Sequence, residues 1–134
     1  MTGEIVTRTA RYSLGADGII RSTNLPGARE TLADAEENLR VLASLAGGSR
    51  RPLLADVRLL RDMNREARVF YGRPEFARVL SASAVVVGSP VTRTLINFIL
   101  VMYKPRYPIR LFTSETEALA WLRSLSPGAD AAAP

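Results

Sequence analysis

The chain has 134 residues, of which 47% are hydrophobic and 23% charged; this suits one domain with its own core and excludes a disordered or fibrous chain. It contains neither cysteine nor histidine, which removes disulfide scaffolds, thiolate nucleophiles, Cys/His zinc sites and any triad working through imidazole. The net charge of +5 comes from 18 Lys+Arg against 13 Asp+Glu, but the basic residues are scattered and only Arg50 and Arg51 adjoin, so no nucleic-acid partner is expected.

Residues 5–14 alternate in part, which puts Val6, Ala10, Tyr12 and Leu14 on one side of a predicted strand. Gly15, Ala16, Asp17 and Gly18 supply turn chemistry, and residues 19–22 read as the returning strand of an N-terminal β-hairpin. Thr31 followed by Asp34 resembles a capping box. Behind it Leu32, Ala35, Leu39, Leu42 and Ala46 keep helical spacing until Gly47 and Gly48 stop the helix.

Residues 53–57 form a short apolar segment, predicted as a buried strand. Asn64 is placed to cap a short helix through Tyr71, and Pro74 to open another that ends near Leu80. Residues 84–87, bounded by Gly88, predict a further buried strand. Ser89 as cap and Pro90 at the first helical position then start a helix to about Tyr103. One face of it carries Val91, Leu95, Phe98, Ile99 and Met102, while Ile96, Leu100 and Val101 lie beyond that face. A core helix over the sheet explains most of this pattern. The alternatives are a subunit interface, with Ile96, Leu100 and Val101 as the candidate residues and a homo-oligomer as the result, or one wall of an apolar pocket.

Pro105 and Pro108 bracket a turn before a last predicted strand at 109–112. Ser114 and Glu117 then make a capping box for a helix with Ala118, Leu119, Trp121, Leu122 and Leu125. Pro127 and Gly128 are expected to end it, leaving 1–125 as one α/β domain and 126–134 as a disordered tail. Strands alternating with helices after a hairpin imply a mixed sheet covered by helices.

Residues 1–9 include Glu4 and Arg8 and lack a continuous apolar stretch, so no signal peptide is read there. The longest apolar run, 98–103, is far shorter than the roughly 20 residues that span a bilayer. A cytoplasmic protein without a membrane span is expected.

Four stretches, DGIIRSTNLPGARETLADAEENL, RRPLLADVRLL, NREARVFYG and VVVGSPVTRTLINFILVMYKPRYPIRLFTSETEALAWL, resemble a bacterial family of STAS-like domains. These are related in fold to anti-sigma-factor antagonists and grouped with the CRAL-TRIO lipid-binding fold, and their function is largely unassigned. The resemblance implies a STAS-like mixed sheet with an N-terminal hairpin, covered by about four to five helices. Regulatory STAS domains accept phosphate on a Ser or Thr beside an Asp, at the start of the helix after a central strand. Here the matching residues are Asp62, Met63 and Asn64, so the resemblance implies that the usual phosphoacceptor is missing.

Three candidate sites can be weighed. Gly88 and Ser89 begin a helix, whose N–H groups and dipole favour an anion, and Arg58 and Arg93 are placed to join them if the strands are parallel neighbours. Simple capping by Ser89 explains the same residues. Asp56, Asp62 and Glu66 are near one another in sequence but match no metal or acid/base spacing. The GARE segment lacks the pattern of a phosphate-binding loop. With no nucleophile–base pair, no cofactor and no metal expected, the sequence reads as a non-enzymatic interaction or regulatory domain. Its protein partner is a second copy or another chain; the alternative is a small-molecule or lipid-binding module with an apolar pocket.

Overall fold

The structure is a computed structural model that describes residues 3–89 and 106–132, beyond residue 125 as backbone alone. The predicted helix over 90–103, with Arg93, Ile96, Leu100 and Val101, lies outside the described residues.

The chain begins with β1 (Ile5–Val6), β2 (Ala10–Leu14) and β3 (Ile20–Asn24), an antiparallel meander. The long strand expected over 5–14 is broken, because the Thr7 hydroxyl accepts from the Thr9 and Ala10 N–H groups and turns the chain back. Val6 is consequently 53% exposed, on the other side of that turn from the buried Ala10 and Tyr12. The β2–β3 turn is as the sequence places it: Asp17 accepts from the Ile19 N–H, and Gly18 takes φ +81°, which a side chain would resist.

Next come β4 (Ala28–Glu30), α1 (Leu32–Ala46), β5 (Arg51–Asp56), β6 (Leu60–Met63), α2 (Arg65–Tyr71) and α3 (Pro74–Ala77). Gly47 ends α1 in the left-handed conformation, with its N–H on the Ala43 carbonyl. The Asn64 side chain accepts from the Ala67 N–H at 2.9 Å and so caps α2. β7 (Leu80–Val86) starts earlier than its β-branched end suggests, and β8 is Ile109–Phe112. The last helix, α4 (Glu115–Ala132), begins at Ser114, whose hydroxyl accepts from the Glu117 N–H. It continues past Pro127 and Gly128, where the sequence places its end; the stretch beyond them is rich in alanine, the strongest helix former.

Six strands form one sheet in the order β1-β2-β3-β5-β7-β8, with β3, β5, β7 and β8 parallel. The parallel pair β4–β6 forms a separate two-stranded sheet that the sequence did not predict. Successive side chains point to opposite faces, so Ile20 and Leu53 join Tyr12, Leu42, Leu45, Phe76 and Leu80 under α1 and α3. Ile19 and Leu54 instead join Ala84, Val86, Phe112, Ala118 and Leu122 under α4. The architecture is thus the expected mixed sheet with helices on both faces, four of them among the described residues. No helix among those residues is long and apolar enough to cross a membrane.

Candidate functional site

Open α/β sheets bind ligands beyond the carboxyl ends of their parallel strands. Here those ends are level: Asp56 pairs with Val86, and Val86 with Phe112. The Val57 N–H donates to the Val86 carbonyl at 3.0 Å and the Val87 N–H to the Phe112 carbonyl at 2.8 Å. Arg58 and the Gly88–Ser89 pair therefore follow neighbouring strands onto one rim, as the sequence predicted for parallel neighbours. Arg93 lies outside the described residues.

Arg58 is already engaged. Arg58 Nε donates to Asp56 Oδ1 at 2.9 Å and its Nη2 to Oδ2 at 2.7 Å, while its backbone N–H reaches Oδ1 at 3.0 Å. The side-chain bonds lower the Asp56 carboxyl below its ordinary range and raise Arg58, the signature of a closed pair. Gly88 does not take positive φ, and a Cβ there would meet nothing, so no close backbone approach requires it. Asp62 is largely exposed beside Arg29 at 3.9 Å, and Glu66 is exposed, so Asp56, Asp62 and Glu66 do not assemble. Among the described residues no group of three or more acids or other ligating side chains could hold a metal ion.

A different cluster is buried, and sequence reasoning missed it. Glu30, 4% exposed, ends β4. Its Oε2 accepts from the Thr9 hydroxyl at 3.0 Å, from Asn38 Nδ2 at 3.1 Å and from Asn24 Nδ2 at 3.3 Å. Its Oε1 accepts from the Tyr71 hydroxyl at 2.7 Å, which in turn accepts from Asn38 Nδ2 at 2.9 Å. Four neutral donors from β2's approach, β3, α1 and α2 thus converge on one carboxylate. Burial, then the Glu30 charge, pushes the Tyr71 hydroxyl well above its ordinary range, so it stays a donor. With its acceptors filled in this way, Glu30 is arranged to join elements rather than to abstract a proton.

The profile of a family described as a domain of unknown function, DUF7793, matches residues 12–126. The chain belongs to that family. Of solved structures, this DUF7793 chain is similar to an uncharacterised protein of the DUF3478 family with a SpoIIAA-like fold from Shewanella loihica PV-4. They share 17% identity over 90% of each chain, with a TM-score of 0.54. At that identity the likeness concerns the fold, which is STAS-like. A protein of unknown function from Arthrobacter sp. FB24 shares 39% identity over 89% of this chain and 96% of its own, with a TM-score of 0.33. No curated protein matches the chain.

Around the Glu30 cluster of this DUF7793 domain lies an outer ion pair. Arg8 Nε donates to Asp34 Oδ1 at 2.7 Å and its Nη2 to Oδ2, while the Thr31 N–H donates to Oδ2 at 2.8 Å. Chiefly through Arg8, the Asp34 carboxyl is lowered from 3.8 to about 2. A depressed carboxyl stabilises the fold above its unfolded value, and that contribution disappears as pH falls through the folded one. Asp17, held by Arg21, and Asp56, held by Arg58, shift in the same direction. The melting temperature should therefore fall as pH is lowered from 3.8 towards about 2, and Asp34→Asn should flatten that fall. A pH profile of Tm unchanged by Asp34→Asn would remove the pair from this account.

Proposed function

We propose that this domain is a non-enzymatic STAS-like interaction or regulatory module of the cytoplasm that self-associates and works without a Ser/Thr phosphoacceptor. The observation that carries this reading is how the rim's polar groups are used. Arg58 closes on Asp56 after β5 and Ser114 caps α4 after β8, while away from the rim Asn64 caps α2. Groups committed to internal pairs favour a surface that recognises another protein over one that binds an anion or turns over a substrate. Asp62 and Met63 end β6 and Asn64 caps α2; these are the residues that the STAS resemblance equates with the phosphoacceptor motif, and none has a side-chain hydroxyl. Self-association draws on the sequence of 91–103, whose apolar residues Ile96, Leu100 and Val101 exceed one buried face.

Native mass spectrometry of the untagged protein tests this. A dimer or higher species without added mass is expected, and Leu100→Glu is expected to reduce it to a folded monomer. An oligomer unaffected by Leu100→Glu would move the interface elsewhere. A monomer with a discrete small-molecule adduct would replace the reading with a ligand-binding one.

A further inference from the structure

Between Leu60 and Tyr71 only Ala67 is fully buried, with Phe70 and Tyr71 half-buried against the core, although the segment includes a strand and a helix. β6 pairs only with the three-residue β4, apart from the main sheet, and a two-stranded pair has little stability of its own. A segment with so little apolar burial opens more readily than the core around it. What fastens it converges on Glu30. The Asn64 N–H donates to the Glu30 carbonyl at 3.0 Å, and the Tyr71 hydroxyl donates to Glu30 Oε1 at 2.7 Å. Asn38 Nδ2 also donates to the Tyr71 hydroxyl at 2.9 Å, and Phe70 and Tyr71 pack on the core with their ring centres 5.6 and 5.3 Å from that of Phe76.

We propose that β6 and α2 form a flap that opens as a unit while the six-stranded sheet stays folded, and that the Tyr71 hydroxyl on the Glu30 carboxylate is its latch. The chain turns at both ends of the flap, through the Leu60 N–H on the Val57 carbonyl and the Arg73 N–H on the Phe70 carbonyl. Opening would uncover Phe70 and the donors around Glu30 without breaking any strand pair of the main sheet. The flap does not depend on whether the domain self-associates.

Hydrogen–deuterium exchange of the full chain, wild type against Tyr71→Phe, tests the latch. The substitution keeps the ring on Phe76 and removes only the hydroxyl. Because a hydrogen bond to a charged acceptor is among the stronger ones, the α2 amides should exchange roughly tenfold faster or more. The same bond is lost on global unfolding, so the melting temperature should fall too. Leu122→Ala, on the opposite face of the sheet, should instead accelerate β5 and β7 and leave the α2 rates unchanged, because opening the flap keeps the Leu122 contacts. Acceleration of α2 by Leu122→Ala to the same extent as β5 and β7, or no acceleration of α2 by Tyr71→Phe, would overturn the proposal. Loss of the folded state in Tyr71→Phe would overturn it too, since the hydroxyl would then hold the whole domain.

Discussion

Glu30→Ala is expected to lower the unfolding free energy by more than about 3 kcal/mol, out of a total of about 5–15 for a domain of this kind. The residue's own burial is not the reason. Its removal strands the Thr9 hydroxyl, the Asn24 and Asn38 amides and the Tyr71 hydroxyl. Each buried donor left without an acceptor costs about 1–3 kcal/mol. The costs will not simply add, because the space vacated is polar and a water molecule can recover some of the bonds. Asn24 also donates to the Thr9 carbonyl at 3.1 Å, which softens its share. Urea unfolding followed by Trp121 fluorescence measures the loss from a distance, since Trp121 packs on Phe112 on the opposite face of the sheet. A loss below about 1 kcal/mol would mean that water replaces the carboxylate nearly as well as the protein uses it.

The same cluster shows where the sequence was legible and where it was not. Features written in local chemistry were readable: the β2–β3 turn around Asp17 and Gly18, the stop at Gly47, the caps at Asn64 and Ser114, and β8 at Ile109–Phe112. Each depends on one or two residue types at fixed offsets, so no tertiary information is needed. The face of α1 was read less well. Apolar spacing selects Leu32 and Leu39, yet Leu32 is 37% exposed and the buried stripe includes Asp34 and Asn38. Periodicity counts apolar residues as inward and polar ones as outward, and here the polar ones turn inward because Glu30 and Arg8 wait for them. Recognising Asp34 and Asn38 as an i, i+4 pair beside Ala35 and Leu42 was the available signal.

β4 and β6 escaped for a related reason. At three and four residues, with Arg29, Glu30, Arg61 and Asp62 among them, they carry neither alternation nor a β-branched run. The rim was half legible. Parallel neighbours brought Arg58 and Ser89 onto one edge, as proposed, but no spacing rule says that Arg58 will turn back onto Asp56.

Phe76→Ala should be the other severe substitution, at about 3–5 kcal/mol. Phe76 is 1% exposed at the centre of α3 and belongs to the core with Tyr12, Ile20, Leu42 and Leu80. Its loss leaves a cavity and removes the contacts that seat Phe70, edge-on at 83°, and Tyr71. The surroundings cannot close over the gap easily, because Tyr71 is held in place by its bond to Glu30. Urea unfolding of Phe76→Ala, Glu30→Ala and the double variant separates the two contributions. Both substitutions act on Tyr71, so the double variant should lose less than the sum of the two singles. Leu122→Ala, under α4 on the opposite face, should instead add to Glu30→Ala within about 0.5 kcal/mol. Additivity between Phe76→Ala and Glu30→Ala would mean that the aromatic seat and the polar cluster stabilise the fold independently, and Tyr71 would lose its place as the link between them.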